Sequence, residues 1–336
     1  MPSPPPLPQP SPPPPPAAGR PSSSSSSTST SSLTTAGLFA DPAGYYPPTP
    51  PPTTQTYTQP STGRTLTLRL VGQSALEAHT LWNGARVAAD HLDAQPALVR
   101  GRAVLELGAG AGLPSLVAGL LGARAVVVSD YPDLDLVANL QANVDACQAW
   151  FPPRGRRAVG REGLGGARGE EEGDGRGQGD KGVDDTINDD DGDDDDDGAE
   201  TVMPAGFIWG GDVGPLLALL PAGAAGGGGG GFDVLILADL LFRHSEHGRL
   251  VKTVRETLAR RRASVALVVF SSYRPWLRDK DLAFFGVARA AGLETEKLFD
   301  RILPRPLFED DPGDEEVRKT VSAWAVRWPA HECEDE

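Results

Sequence analysis

Apolar residues in this chain recur at two spacings, and the two alternate along it. Thr65 to Leu70 sets Leu at every second position between Thr and Arg, the period of a strand with one covered face. Ser74 to Leu92 carries Leu76, Leu81, Trp82, Ala85, Val87, Ala88 and Leu92, a spacing that predicts a helix. Arg102 to Leu107 predicts a short buried strand running into glycine. Leu113 to Leu121 predicts a helix, with Pro114 tolerated in its first turn, where a backbone N–H has no helical partner. Ala125 to Ser129 is a second strand, followed by Asp130, and Asp133 to Cys147 a further helix.

After a gap the alternation resumes. Ala205 to Trp209 reads as a strand and Val213 to Leu220 as a helix. Phe232 to Ala238 is apolar throughout, as expected of a parallel strand covered on both faces. Ser245 is placed to cap a helix reaching about Arg261. Ser264 to Phe270 reads as a strand and Lys280 to Ala291 as a helix, with Glu294 to Phe299 and Thr320 to Arg327 as the last strands. Strands alternating with helices predict an α/β fold with a doubly wound sheet.

Composition marks where that fold stops. Of 32 Pro, 19 lie in the first 60 residues, and of 40 Gly, 24 lie between 151 and 231. Residues 1–37, a run of Pro and then of Ser, read as a disordered tail with polyproline II character. Residues 38–64 add Leu38, Phe39, Tyr45, Tyr46 and Tyr57, and read as an extended arm that docks on the domain. Residues 154–200 have no apolar period and end in an aspartate block, Asp193 to Asp197. They read as a disordered insertion in a surface loop, which costs little free energy. One domain remains, 65–153 with 201–329, followed by an acidic tail at 330–336.

The charge of −15 is concentrated in two places. Residues 154–200 hold 17 acidic and 7 basic side chains, net −10, and 309–336 hold 10 and 3, net −7, so the rest carries +2. No basic stripe stands out, which argues against a nucleic-acid partner. Arg260, Arg261 and Arg262 fall where a helix C-terminus would and suit it. Cys147 and Cys333 make neither a disulfide framework nor a metal site. The N-terminus lacks the pattern of a signal or transit peptide, and no apolar run approaches ~18 residues, so a cytoplasmic protein without a membrane partner is expected.

The strongest chemical signal is Val104 to Pro114, a strand running through Gly108-Ala109-Gly110-Ala111-Gly112 into a helix. Such a turn lies at the carboxyl end of the first strand, where doubly wound folds bind nucleotides. Asp130 ends the next strand and can accept hydrogen bonds from both hydroxyls of a ribose. The spacing is G-x-G-x-G, not the G-x-G-x-x-G of dinucleotide sites, and Glu106 precedes it. S-adenosylmethionine has no pyrophosphate, and an acid at 106 can orient its cationic amino-acid tail. The methyl donor is therefore favoured over NAD. Trp82 and Trp209 either wall a sulfonium or are ordinary core aromatics, and spacing alone favours the core. Asp239, directly after the apolar strand, is either a loop-start residue or a carboxylate that holds a substrate amine. His244 and His247 with Glu246 fall short of a structural zinc set, which leaves His244 as a candidate proton acceptor. Tyr273 and Arg274 follow the next strand on the same edge and could line the substrate pocket.

Several segments together resemble a known family. Leu38 to Pro42, Pro51 to Thr58, Leu81 to Val87, the glycine turn, Ser129 to Leu136, Asp239 to His247 and Phe308 to Arg318 are similar to the seven-strand, family-16 type methyltransferases. Within these they look like the proteins, once labelled nicotinamide N-methyltransferase-like, that methylate the N-terminus of translation elongation factor 1-alpha. The resemblance implies a seven-strand sheet, mostly parallel with an antiparallel last strand, and S-adenosyl-L-methionine as cofactor. It implies donor contacts at Trp82, Gly108, Ala109, Gly110, Asp130, Trp209 and Ala238, which reverses the core reading of the two Trp. It also implies methylation of the exposed N-terminal glycine of that factor and then of the adjacent lysine; a monomer without metal is expected. Asp239 is the expected amine-positioning group, with His244 and Tyr273 as further catalytic candidates. A small-molecule amine methyltransferase, a non-catalytic binding protein of the same fold and an NAD-linked oxidoreductase are the rivals. An open acidic rim would favour the protein acceptor, and a closed aromatic pocket the small molecule.

Overall fold

A computed structural model describes residues 50–152, 201–221 and 230–334. The Pro/Ser tail 1–37 and the insertion 154–200 lie outside the described residues, as do 38–49.

Among the described residues, seven strands form one sheet in the order β5-β4-β3-β6-β7-β9-β8. They are β3 (Ala103–Leu107), β4 (Ala125–Asp130), β5 (Val202–Gly206), β6 (Val234–Ala238), β7 (Val265–Ser271), β8 (Glu294–Ile302) and β9 (Thr320–Arg327). The pairs from β5 through β7 are parallel, and β9 runs antiparallel to both β7 and β8. Adjacent residues of the central strands face opposite cores, which is why these strands read as unbroken apolar runs. Val104, Val126, Val128 and Ile236 pack under α1 (Asn83–Ala94), α2 (Leu113–Leu120) and α3 (Leu134–Cys147). Leu105, Leu107, Leu235 and Leu237 pack under α5 (His247–Thr257) and α6 (Arg278–Ala290). The chain winds outward from β3 to β5 and then crosses to β6 on the other side of β3. That reversal opens a crevice at the carboxyl ends of β3, β4 and β6.

A separate antiparallel hairpin joins β1 (Thr53–Thr58) to β2 (Thr65–Leu70). Leu66, Leu68 and Leu70 of β2 are fully buried, as their alternation requires. β1 has no such pattern; it belongs to the segment expected as an extended arm. Tyr57 fixes it, donating to Asp90 of α1 at 2.9 Å.

Several elements depart from expectation. The helix predicted from Ser74 begins only at Asn83, because Trp82 is extended and Glu77 takes a left-handed φ of 64°. The expected strand 205–209 lies earlier, at Val202–Gly206. There Val202 is buried against β4, and Phe207 N–H bonds the carbonyl of Asp130 before the chain turns away. The helix predicted at 213–220 is a single turn, α4 (Gly214–Leu217). Ser245 does not cap a helix. A 3-10 turn spans His244–Glu246 and α5 starts at His247, without a side-chain cap. α5 ends at Thr257, so Arg260 and Arg261 lie beyond it and pair with Glu332 and Asp233. A short helix, α7 (Glu315–Lys319), capped by Asp314, carried no periodic signal. No described helix is long and apolar enough to cross a membrane.

Candidate active site

β3 ends at Leu107, and the chain bends through the glycines before α2. Gly108 holds φ 60°, where a side chain is strained, and a Cβ there would stand 2.9 Å from the Trp209 ring. The floor of the crevice is therefore bare backbone by necessity. Gly110 N–H donates to Asp130 Oδ2 and Tyr131 N–H to Oδ1, both at 2.7 Å. Each oxygen keeps a lone pair for a further donor. Burial raises the Asp130 carboxyl, while the two N–H groups and the charge of Arg243 oppose that shift.

Glu106 sits beneath the turn, 1% exposed. Its Oε2 accepts from Ser115 N–H at 3.0 Å and from the Ser115 hydroxyl, and its Oε1 takes no hydrogen bond among the described residues. Burial pushes its pKa up to about 8, with the Ser115 bonds opposing and the charge of Asp130 adding. A neutral acid is the form favoured here until a cation arrives.

Asp239 holds φ 53°, unusual for a residue with a side chain, and is 3% exposed. Its Oδ2 accepts from Gly84 N–H and from the Tyr273 hydroxyl at 3.0 Å, and its Oδ1 from Ser271 N–H at 2.8 Å. A side chain at position 84 would collide with that carboxylate, so the Asn83-Gly84 start of α1 is matched to it. Asp239 thereby ties α1, β6 and the end of β7 together. Burial raises its pKa to about 6 against these three bonds. The Tyr273 hydroxyl is pushed well above its usual value, first by burial and then by Asp239.

Above Asp239 lies a cluster of rings. Trp82 stacks on Phe242 (5.5 Å, 14°) and meets Tyr273 and Phe308 edge-on at 4.9 and 5.7 Å. The Trp82 indole N–H donates to the Glu77 carbonyl at 3.0 Å. From Phe308 the chain enters an exposed acidic segment that includes Glu309, Asp310, Asp311 and Asp314. Arg318, buried, holds its start by donating to the Phe308 carbonyl at 2.6 Å.

One cavity joins these parts. Trp82, Glu106, Gly108, Ala109, Gly110, Asp130, Trp209, Ala238 and Asp239 all contribute to its wall. Tyr273 reaches it through Asp239 and Trp82 and is not on the wall itself. His244 is not on the wall either; its Nε2 lies 2.7 Å from Asp281 Oδ1 and its ring meets His247 edge-on. Arg274 is exposed and away from the wall. The wall also includes parts that the sequence pattern did not mark. Leu76, Glu77 and Ala78, read as helix, contribute to it, as do the half-exposed Tyr131 and Ile208 and the partly exposed Arg243. An Asn-Gly pair at 83–84 was the available hint that the helix starts late.

Residues 65–153 match a family model described as "Lysine methyltransferase". The chain is 47% identical over 296 residues to protein N-terminal and lysine N-methyltransferase EFM7 of Gibberella zeae, covering 88% of this chain and 96% of that one. It is 46% identical to the Neurospora crassa protein of the same name, covering 88% and 89%. The Schizosaccharomyces pombe protein of that name is 32% identical, with 87% and 95% covered.

Proposed function

The chain belongs to the lysine methyltransferase family of these fungal enzymes, which is S-adenosylmethionine-dependent, and we propose that it methylates a protein N-terminal glycine and the adjacent lysine. The acceptor we infer is translation elongation factor 1-alpha, reached in the cytoplasm by a monomeric enzyme. The observation that carries the reading is the joining, in one cavity, of the glycine turn and Asp130 with Trp82 and Asp239, while the ring cluster on Trp82 continues through Phe308 into an exposed acidic segment. A closed aromatic pocket would have suited nicotinamide instead.

The residues of the cavity fit the donor. Asp130 offers one free acceptor site on each oxygen to the ribose hydroxyls. The bare turn at Gly108–Gly110 lets the ligand lie on backbone, with Trp209 and Ala238 beside it. The free Oε1 of Glu106 suits the ammonium of the tail. When bound, S-adenosylmethionine supplies an electrophilic methyl group on a sulfonium, whose positive charge Trp82 can face.

The acceptor amine must reach that methyl without its proton, since its lone pair forms the new N–C bond as the S–C bond breaks. Asp239 is the group we assign to hold the amine, through the lone pair left on Oδ1. With a pKa near 6 it is ionised at neutral pH, yet it accepts a proton more readily than an exposed aspartate. Tyr273 fixes the carboxylate, and His244 with Asp281 anchors the loop that carries Phe242. Holding the two reactants in line supplies most of the acceleration.

The test is incubation with isotope-labelled S-adenosylmethionine, recombinant elongation factor 1-alpha and nicotinamide, followed by mass spectrometry. Label on the N-terminal glycine and the next lysine is the expected result. Label on nicotinamide alone, or on no acceptor, would overturn the reading.

A further inference from the structure

Two arginines line the cavity, Arg243 and Arg249. Arg249 is committed, with Nη1 2.8 Å from Glu246 and a side chain 64% exposed. Arg243 is not. Among the described residues no carboxylate comes within ion-pair distance of it, and its single hydrogen bond, Nη2 to the Ala75 carbonyl, is 3.4 Å long. That is near the outer limit for such a bond. A guanidinium carries five N–H donors in a fixed fork, so most of its capacity is unspent.

Its position is nonetheless defined. The guanidinium lies over the Phe242 ring at 5.5 Å, and Phe242 in turn stacks on Trp82. A cation over a ring that is itself stacked on a second ring is favoured in that place. Its charge opposes the burial that raises Asp130, and adds to the lowering of Glu246 that Arg249 chiefly causes, although it touches neither. The cavity wall thus includes acids that suit a ribose and an ammonium, and one arginine that has no ionic partner among the described residues.

An amino-acid tail carries a carboxylate as well as an ammonium, and a buried carboxylate needs a counter-ion. We propose that Arg243 is that counter-ion, receiving the α-carboxylate of the donor's amino-acid tail on its unspent N–H groups. This rests on the donor assignment above and adds the residue that distinguishes a complete donor from a nucleoside thioether lacking the tail.

The experiment is calorimetric titration of the full chain with S-adenosylhomocysteine and with 5′-methylthioadenosine, which lacks both charged groups of the tail. For Arg243→Gln, affinity for S-adenosylhomocysteine is expected to fall about tenfold or more, the size of one lost charge-assisted contact. Affinity for 5′-methylthioadenosine should stay within about twofold. Arg243→Lys, which keeps the charge but not the fork, should recover part of the loss. Equal losses for both ligands would overturn the proposal and mark Arg243 as a structural brace through Ala75 and Phe242. Unchanged binding of both ligands would overturn it as well. If the unaltered protein binds neither ligand, or prefers NAD, the donor assignment itself fails; that failure shows in the unaltered protein rather than in the variant.

Discussion

The two walls of the cavity are built from different amounts of chain. The donor-facing wall comes mainly from one stretch, Val104 to Asp130, in which a strand, a turn, a helix and a strand follow in order. The acceptor-facing side draws on four separate places: Trp82 ahead of α1 and Asp239 to Phe242 after β6 face the cavity, while Tyr273 after β7 and Phe308 before α7 pack behind them. A local wall concentrates its function in a few backbone-fixed positions. An assembled wall spreads it over contacts that support one another, so single losses there should shift the acceptor more than the donor.

The largest effect is expected on the local side. Asp130→Ala removes both acceptor oxygens for the ribose, and two charge-assisted hydrogen bonds correspond to a loss of roughly a hundredfold in donor affinity. Calorimetry checks it, and a loss under about threefold would separate Asp130 from the ribose. Next is Asp239→Asn, which keeps the shape but removes the charge and puts an NH₂ where one oxygen accepted. We expect kcat to fall by about ten- to a hundredfold, with donor Kd changed less than about threefold. If donor affinity falls as far as kcat, the two walls are not separable.

Phe308→Ala removes two edge-on ring contacts, at 5.7 Å to Trp82 and 5.8 Å to Tyr273. At ~0.5–1.5 kcal/mol per aromatic pair the two losses together come to ~1–3 kcal/mol, so acceptor KM should rise by about fivefold or more with donor Kd unchanged. Steady-state kinetics on an N-terminal peptide reads this directly. The smallest effect is a pH dependence seated in Glu106. Its folded pKa, raised to about 8, means that the fold favours the neutral acid. That stabilisation is whole below its ordinary value near 4.5 and is lost as pH climbs through about 8. The melting temperature of the donor-free protein should therefore decline across this window. Glu106→Gln should flatten that part of the decline, and an unflattened profile would place the titration elsewhere.

The same contrast decides what could be read from the sequence. Glycines between a buried strand and a helix, with an acid at the end of the next strand, form a local pattern, so Gly108, Gly110 and Asp130 were legible. The central strands were legible because both of their faces are covered. Leu76, Leu81 and Trp82 misled, since their helical spacing arises from facing cavity and core across a turn at Glu77. β1 has one buried apolar residue, Tyr57, and exists through its pairing with β2. The loop that carries Arg243 was marked as a family segment, yet no spacing rule ties its charge to Asp130, far back in the chain. Contacts between distant segments are set by packing, and packing leaves no periodic trace.

The most direct test is diffraction from crystals grown with S-adenosylhomocysteine. Ligand lying across Gly108–Gly110, with its ribose on Asp130 and its sulfur between Trp82 and Asp239, is the result expected. An empty crevice at saturating ligand, or the compound bound away from β3 and β4, would contradict the assignment.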